Sequence, residues 1–228
     1  TRKGPDWAPD DARCKTRPEV VRDIIALRYL TTRIRILSLQ DCNQGEIVLS
    51  VAKELGLHLW LGLWVSENAT IFEQELDIFQ TFIDNGELDN PAILGVTVGS
   101  EAVFRGSVTA QEIGQNYRTA KNLVVDAGYP DFLVAICDVG VTYRRYPTMF
   151  LNTDIVFAAE YPFWEKSATD IENAVQYLLD KKIPSLRKYA DPAGIDIIIG
   201  ETGWAAEGDP KFSNTASPEN QRRYLQDI

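Results

Sequence analysis

The chain has 228 residues, of which 45% are hydrophobic and 25% charged, a composition typical of a soluble globular protein with a sizeable core. Its formal net charge of −10 argues against a nucleic-acid partner, because such partners need clustered Lys and Arg to neutralise their phosphates. No apolar run approaches the ~20 residues that cross a bilayer, and the N-terminus lacks the apolar core of a signal peptide, so we expect no membrane partner.

Six apolar segments rich in β-branched residues recur along the chain and predict strands. Strict alternation of polar and apolar residues is missing from them, as expected when both faces of a strand are covered. The predicted strands are Ile34–Leu39, His58–Val65, Ile93–Val98, Leu133–Cys137, Ile155–Ala159 and Ile197–Gly200.

Amphipathic segments lie around and between these strands and predict helices. They are Pro18–Leu30, Ile47–Leu55, Ile71–Ile83, Ala110–Ala127, Thr169–Tyr189 and a helix beginning at Pro218. Alternating strands and helices favour an α/β fold with a parallel sheet, and we predict a (β/α)8 TIM barrel as a single domain over residues 1–228. Because a closed barrel needs eight strands, the first strand and the last strand-helix unit are expected to be missing. An open doubly wound sheet is the alternative, although no glycine-rich switch-point loop is found.

Histidine and cysteine limit the possible chemistry. Ser-His-Asp or Cys-His catalysis would rest on His58 alone, and multi-His metal sites are excluded, so a structural role for His58 is favoured. Neither GxGxxG nor GxxxxGK[ST] occurs, and we expect no metal and no cofactor. The three cysteines lack zinc-ligand spacing, which leaves one disulfide plus a buried thiol, or three reduced thiols, as alternatives. The sequon at Asn68 hints at secretion, although chance explains it equally well.

Two glutamates directly follow predicted strands. Glu101 comes after Ile93–Val98, and Glu201 comes after Ile197–Gly200. In a TIM barrel the C-terminal ends of the strands form the catalytic face. Two carboxyl groups there suffice for glycoside hydrolysis, since one protonates the leaving oxygen while the other attacks the anomeric carbon or activates water. Solvated loop carboxylates are the alternative, with about equal weight.

Aromatic residues follow predicted strands at the same face, where sugar stacking would need them. We expect them to border one cleft with the two glutamates, whereas Trp60, inside a strand, should belong to the core. The rings near the predicted cleft are Trp64, Tyr161, Phe163, Trp164 and Trp204.

Five segments together resemble glycoside hydrolase family 17, and within it the fungal cell-wall glucanases and glucanosyltransferases, in their order and spacing. The resemblance extends from Asp6 to Ile228 and implies a TIM barrel, a retaining mechanism, no metal, a β-1,3-glucan polysaccharide or oligosaccharide as partner, and a secreted or cell-wall location. The segments that carry it are Ile34–Ser38, Asp41–Gln44, Val98–Gly106, Tyr161–Trp164 and Glu201–Trp204.

Strand order in the family assigns the two glutamates. The resemblance implies that Glu101, after the fourth barrel strand, is the acid/base and that Glu201, after the seventh, is the nucleophile. Ser100 stands where the family commonly has Asn, so the amide contact to the sugar 2-hydroxyl would be lost or replaced by that of a shorter hydroxyl. Leu37 and Ala205 also depart from the pattern.

Further charged residues lie in or beside the strands. Arg35 is expected to orient Glu201 through a charge-assisted hydrogen bond. Structural ion pairs are the favoured role of Asp138 and Glu160, and sugar binding is the alternative for both. A retaining pair should hold its carboxyl groups about 5–5.5 Å apart.

The leading hypothesis is a retaining β-1,3-glucan hydrolase or glucanosyltransferase, two activities that differ in whether water or a glucan hydroxyl resolves the glycosyl-enzyme. A noncatalytic β-glucan-binding or cell-wall structural barrel is the alternative, and a β-1,4-glycosidase is a more remote one. Cys14 and Cys42 fall in loops after neighbouring barrel strands, so a disulfide between them is predicted, with Cys137 as a buried free thiol.

Overall fold

The computed structural model describes residues 2–5, 8–208, 211 and 213–228. Its strands form one parallel six-stranded sheet in which spatial order follows chain order. The expectation of six parallel strands is thereby confirmed. The strands are β1 (Arg33–Arg35), β2 (His58–Leu63), β3 (Ile93–Val98), β4 (Val134–Val139), β5 (Val156–Ala159) and β6 (Ile197–Glu201).

Strand β1 is shorter than the predicted segment Ile34–Leu39. The Ile36 N–H still donates to the Trp60 carbonyl at 3.1 Å, but the chain then passes directly over Gly62. A Cβ atom at Gly62 would lie 2.2 Å from the Ile36 carbonyl oxygen, so only glycine permits this crossing. The backbone therefore leaves the sheet after Ile36, although the apolar pattern that predicted the strand continues to Leu39.

Helices cover the outer face of the sheet. A capping box joins Thr16 to Glu19 at the start of α2, and another joins Thr109 to Glu112 at the start of α5. The helices are α1 (Asp10–Arg13), α2 (Arg17–Arg28), α3 (Gln44–Leu55), α4 (Ala69–Asp84), α5 (Ala110–Asp126), α6 (Gly140–Arg145), α7 (Ala174–Tyr177), α8 (Ile183–Ala193) and α9 (Pro218–Asp227).

The predicted helix Thr169–Tyr189 is interrupted. A π-helical turn, Leu178–Lys182, separates α7 from α8, and α7 begins only at Ala174. The short helix α6, which directly follows β4, escaped prediction because a six-residue helix carries little periodicity. None of the helices in the described ranges is long and apolar enough to span a membrane.

The sheet buries both of its faces. Side chains such as Val96, Ile136 and Ala158 belong to the large core shared with the helices. A second cluster on the other face is formed by strand residues, and in it the rings of Trp60 and Phe157 lie 4.5 Å apart. The predicted burial of Trp60 is therefore confirmed, as is that of Cys137, which is a buried free thiol.

A contact between the two edge strands shows that the sheet is curled. Arg35 in β1 forms an ion pair with Glu201 at the end of β6. In a flat sheet, five strand spacings would separate these strands by about 24 Å. The sheet therefore bends into a half-barrel with the Trp60 cluster on its concave side, and the C-terminal strand ends meet around one site.

The predicted disulfide is present. Cys14 and Cys42 are bonded, with their Cα atoms 5.3 Å apart, and join the segment before α2 to the loop after β1. Arg2 and Arg13 reinforce this connection through ion pairs with Asp41 at 2.7 and 3.5 Å.

We expect removal of this disulfide by the double substitution Cys14→Ser and Cys42→Ser to lower the free energy of unfolding by about 3–4 kcal/mol, because the unfolded chain regains the entropy of a 28-residue loop. Urea titration of both proteins measures the difference. An unchanged free energy of unfolding would contradict the structural role given to the bond.

Thiol counting supplies the control. The wild-type protein unfolded without reductant should show one reactive thiol, Cys137, and three after reduction.

Candidate active site

Glu101 lies immediately after β3 in an uncommon backbone conformation. Its φ is +55°, in the left-handed region that costs a non-glycine residue about 1 kcal/mol or more. Its N–H donates to the Cys137 carbonyl of the neighbouring strand at 3.1 Å. The surrounding structure must hold this conformation, and such residues concentrate at functional sites.

The environment of Glu101 favours its protonated form. Burial raises the pKa of this carboxyl above its ordinary value, and the negative charges of Glu201 and Asp138 raise it further. The positive charges of Arg105 and Arg35 oppose these effects without reversing them. Glu101 is therefore suited to donate a proton.

Glu201, the last residue of β6, has a different environment. Its Oε1 accepts hydrogen bonds from Arg35 and, at 3.0 Å, from the Ser100 hydroxyl, while its Oε2 accepts one from the Tyr161 hydroxyl at 2.8 Å. An ionised carboxylate only accepts hydrogen bonds, so these donors match the charged form. The expected contact of Arg35 with Glu201 is present.

Two residues predicted to touch the sugar therefore lie against Glu201. Burial and the Glu201 carboxylate both raise the pKa of Tyr161, which keeps its hydroxyl protonated as a donor. Ser100, at the position where the family commonly has Asn, directly precedes Glu101 in the chain, and its hydroxyl donates to the same Glu201 carboxylate. Glu101 and Glu201 thus belong to one site.

Arg35 links this site to the concave core. Its side chain is 12% exposed, and besides Glu201 it donates to the Cys137 sulfur at 3.1 Å. Burial raises the pKa of the Cys137 thiol to about 12, so the sulfur is a neutral acceptor. Both contacts fix the guanidinium.

The predicted structural roles of two acidic residues had different outcomes. Glu160 forms the expected ion pairs, with Arg144 at 2.7 Å and Lys182 at 3.4 Å. Asp138 does not form the expected ion pair in the described part of the chain. Its buried carboxylate accepts backbone N–H groups instead, from Val103 at 2.8 Å and Phe104 at 3.3 Å in the loop that carries Glu101.

Sequence reasoning also missed Arg105. Its guanidinium donates to the Ser100 carbonyl at 3.1 Å and to the Val65 carbonyl at 3.1 Å, and lies 4.6 Å from the centre of the Trp64 ring. The residue lies within the segment Val98–Gly106 that resembles family 17, which is the one signal that pointed to it. It fixes the start of the Glu101 loop to the end of β2.

The prediction for two aromatic residues needs correction. Phe163 and Trp204 are each only 4% exposed and pack with Tyr224 of α9 and Ala174 of α7. The Trp204 Nε1 donates to the Thr215 carbonyl at 3.0 Å. Their rings are covered by the chain itself, so they do not offer open faces for stacking on a sugar.

Trp164 differs from these two rings. It is 63% exposed and makes an edge contact with Phe163, their centres being 4.9 Å apart. Its outer surface is available to a ligand.

A cleft of about 1130 Å³ lies at the loops that follow β1 and β2, and neither Glu101 nor Glu201 is among its lining residues. It combines apolar side chains with many hydrogen-bonding groups, which suits a neutral polar ligand. Its lining residues are Arg2, Asp10, Arg13, Cys14, Leu37, Ser38, Gln40, Asp41, Cys42, Asn43, Gln44, Trp64, Ile71 and Glu75.

His58 opens β2, at the strand end opposite to the two glutamates, which agrees with a structural role. Within the described ranges, no group of three or more His, Cys, Asp and Glu side chains is arranged to hold a metal ion.

Residues 6–228 match the protein family described as the BtgE/BtgC glycoside hydrolase domain. The chain belongs to this family. It is therefore a glycoside hydrolase domain, and the site at the strand ends is its candidate active site.

Relatives of this glycoside hydrolase domain are similar over most of its length. It is 28% identical to a probable family 17 glucosidase, SCW10, of Saccharomyces cerevisiae, covering 99% of this chain and 56% of the relative. It is 23% identical to a glucan 1,3-beta-glucosidase of the same yeast, covering 94% and 71%. A glucan endo-1,3-beta-glucosidase, btgC, of Emericella nidulans is 27% identical, with 89% and 32% covered.

Solved structures agree with the sequence relatives. An active-site mutant of Rhizomucor miehei beta-1,3-glucanosyltransferase in complex with laminaritriose superposes with a TM-score of 0.80 at 27% identity, covering 97% of this chain and 78% of that one. A glycoside hydrolase family 17 beta-1,3-glucanosyltransferase from the same organism gives a TM-score of 0.74 at 25% identity, covering 95% and 76%. The resemblance to family 17 is thereby confirmed.

We expect Glu201→Gln to lower the pKa of Glu101, because it removes a negative charge that disfavours ionisation of the neighbouring carboxyl. A pH titration of the ¹³C-labelled glutamate carboxyl groups by NMR measures this pKa in both proteins.

Glu219→Gln, an exposed substitution in α9, is the control and should leave the Glu101 titration unchanged. An unchanged or raised Glu101 pKa in Glu201→Gln would show that the two carboxyl groups do not share a site.

Proposed function

We propose that this chain is the catalytic domain of a retaining enzyme that hydrolyses or transfers β-1,3-glucan, with Glu101 as acid/base and Glu201 as nucleophile. The observation that carries the proposal is the contrast between the two glutamates. Three hydrogen-bond donors hold the Glu201 carboxylate, the ionised form that can attack. The pKa of Glu101 is raised, which favours the protonated form that can donate a proton.

The first chemical step uses both residues at once. Glu101 protonates the glycosidic oxygen while a Glu201 oxygen attacks the anomeric carbon, so the bond to the leaving sugar breaks and a glycosyl-enzyme ester forms. Arg35, Ser100 and Tyr161 hold the attacking carboxylate in place, which limits its loss of entropy on reaction.

The second step reverses the role of Glu101. Now ionised, it removes a proton from water or from the hydroxyl of a second glucan, and that oxygen displaces Glu201 from the anomeric carbon. Two inversions restore the original configuration. Hydrolysis and transfer therefore use the same two residues and differ only in the acceptor.

The architecture supports these roles. We infer that β1 to β6 correspond to strands two to seven of a (β/α)8 barrel within a single domain over residues 1–228. The contact of Arg35 with Glu201 across the curled sheet supports this correspondence, as does the similarity to the Rhizomucor miehei enzymes. Glu101 and Glu201 then follow the fourth and seventh barrel strands, the positions that the family assigns to the acid/base and the nucleophile.

The ligand is inferred from the relatives and from the cleft at the loops after β1 and β2, which lie at the same edge of the sheet as the two glutamates. Trp64 and Leu37 provide apolar surface, and Ser38, Gln40 and Asn43 provide hydrogen-bonding groups, a combination that fits the faces and hydroxyls of glucose units. The related Rhizomucor miehei enzyme was solved with laminaritriose. We therefore propose a β-1,3-glucan polysaccharide or oligosaccharide as substrate, with exposed Trp164 as a further stacking surface.

A secreted or cell-wall location fits two features of the chain. The disulfide between Cys14 and Cys42 is typical of proteins that fold in an oxidising compartment. Asn68, in the sequon, lies exposed at the start of α4 and uses its Oδ1 to cap the helix, which leaves the side-chain nitrogen available for a glycan.

Laminari-oligosaccharides test the proposed function. Wild-type protein should cleave them, giving shorter products by hydrolysis or both shorter and longer products by transfer, and Glu101→Ala should slow substrates with poor leaving groups by about 10²–10⁴-fold. Glu201→Ala should be inactive, and added azide should yield a glycosyl azide of inverted configuration, because azide occupies the space of the lost carboxylate. Chromatography and NMR of the products provide the measurements.

Exposed Glu219→Ala serves as the matched control and should retain wild-type turnover. Turnover near the wild-type rate by either active-site variant would contradict the assignment of the glutamates. Binding without cleavage by the wild-type protein would instead indicate a noncatalytic glucan-binding barrel.

A further inference from the structure

The loop that carries Glu101 contains three residues with left-handed backbone conformations. Gly99 and Gly106 have φ values of +73° and +72°, which glycine adopts freely, whereas Glu101 has +55°. A glutamate keeps such a conformation only when neighbouring groups hold it there. The origin of that restraint decides which residues control the position of the proposed acid.

The end of β4 supplies much of the restraint. The Cys137 carbonyl accepts the Glu101 N–H, and the next residue, Asp138, accepts the N–H groups of Val103 and Phe104 through its two carboxylate oxygens. Asp138 also accepts the Val139 N–H at 2.8 Å. Two consecutive residues of one strand thus hold the turn on both sides of the Glu101 side chain.

Arg105 holds the opposite end of the same loop. Its guanidinium donates to the Ser100 carbonyl, while the Asp138 carboxylate accepts from backbone N–H groups. A basic and an acidic side chain therefore satisfy both kinds of backbone group in this loop. Asp138 is fully buried. A side chain without access to water has few alternative arrangements, which makes its contacts restrictive.

Asp138 is placed to act as an anion. Both of its oxygens accept backbone N–H groups, so a proton on either oxygen would displace one of these bonds. Burial raises the pKa of Asp138, and hydrogen bonds from the backbone and the Thr142 hydroxyl reduce that rise without reversing it. Cys137 and Tyr143 also lie near it, and both stay neutral because burial raises their pKa values.

Within the described part of the chain, the charges of four residues act on the Glu101 carboxyl. Glu201 and Asp138 disfavour ionisation of Glu101, whereas Arg105 and Arg35 favour it. Asp138 is the acidic member of this set that also holds the backbone of the Glu101 loop, and Arg105 is the basic one. Asp138 therefore affects both the backbone position of the Glu101 loop and the ionisation of the Glu101 carboxyl.

We propose that Asp138 is a positioning residue that fixes the turn carrying Glu101 and places a negative charge near its carboxyl. The inference rests on the proposed function, in that Glu101 is taken as the acid. Asp138 itself touches no substrate, and it acts only through Glu101.

The variant Asp138→Asn tests this role in the full chain. It keeps the shape of the side chain, removes the charge and replaces one hydrogen-bond acceptor by a donor. We expect kcat for laminari-oligosaccharides to fall about 10- to 100-fold, as for the loss of one or two charge-assisted hydrogen bonds, with KM within about twofold of wild type. Removing a negative charge favours ionised Glu101, so the basic limb of the pH–rate profile should move to lower pH.

Asp154→Asn is the matched control. Asp154 also accepts a backbone N–H of β4, that of Val134 at 2.9 Å, but at the strand end opposite to Glu101. Its replacement should change stability alone and leave kcat and the pH profile unchanged. A folded Asp138→Asn with an unshifted basic limb, or an equal shift in Asp154→Asn, overturns the proposal.

A second variant covers the case in which Asp138→Asn does not fold. Thr142→Val is nearly isosteric and removes one hydrogen-bond donor to Asp138. The pKa of Asp138 then rises, so a smaller fraction of Asp138 is ionised. The basic limb should then shift in the same direction by a smaller amount, and an absent or opposite shift counts against the proposal. Glu101→Gln in the same assay separates the two claims: wild-type turnover by this variant refutes the proposed function, whereas its inactivity beside an unshifted Asp138→Asn refutes only the role of Asp138.

Discussion

The negative charge of Glu201 is the constraint on which the structure of the site depends. A partly buried carboxylate is costly unless charged or hydrogen-bonding partners surround it. Its partners come from three separate places: Arg35 in the first strand, Ser100 after the third and Tyr161 after the fifth. They can meet at the end of the sixth strand only because the sheet is curled, so the curvature of the sheet supplies the partners of this charge.

The same curvature gives two identical side chains opposite chemical properties. Glu201 faces hydrogen-bond donors, while burial and two neighbouring negative charges raise the pKa of Glu101. The left-handed backbone at Glu101 is part of this arrangement, since contacts from the adjacent strand offset its cost. The fold thus gives the two glutamates the contrast on which their proposed roles as acid and nucleophile rest.

Local patterns in the sequence were enough to locate the six strands, although not the extent of β1, and to place Glu101 and Glu201 at strand ends, because apolar runs and strand ends are local features. Other features depended on distant packing. Trp204 was expected at the cleft, but α9, more than a dozen residues later in the chain, brings Tyr224 over it. Asp138 was expected in an ion pair, but its partners are backbone N–H groups. Every residue except proline has such a group, so no sequence pattern distinguishes the ones that Asp138 binds.

Covalent trapping tests the central claim most directly. A 2-deoxy-2-fluoro β-laminaribiosyl fluoride has a good leaving group, yet its fluorine destabilises the oxocarbenium-like transition states, so a glycosyl-enzyme should accumulate. Mass spectrometry of the digested full-length chain should then find one fluorinated disaccharide per protein, attached to the peptide that contains Glu201. A label on Glu101 or another side chain, or turnover that releases the inverted sugar without any label, would contradict the account.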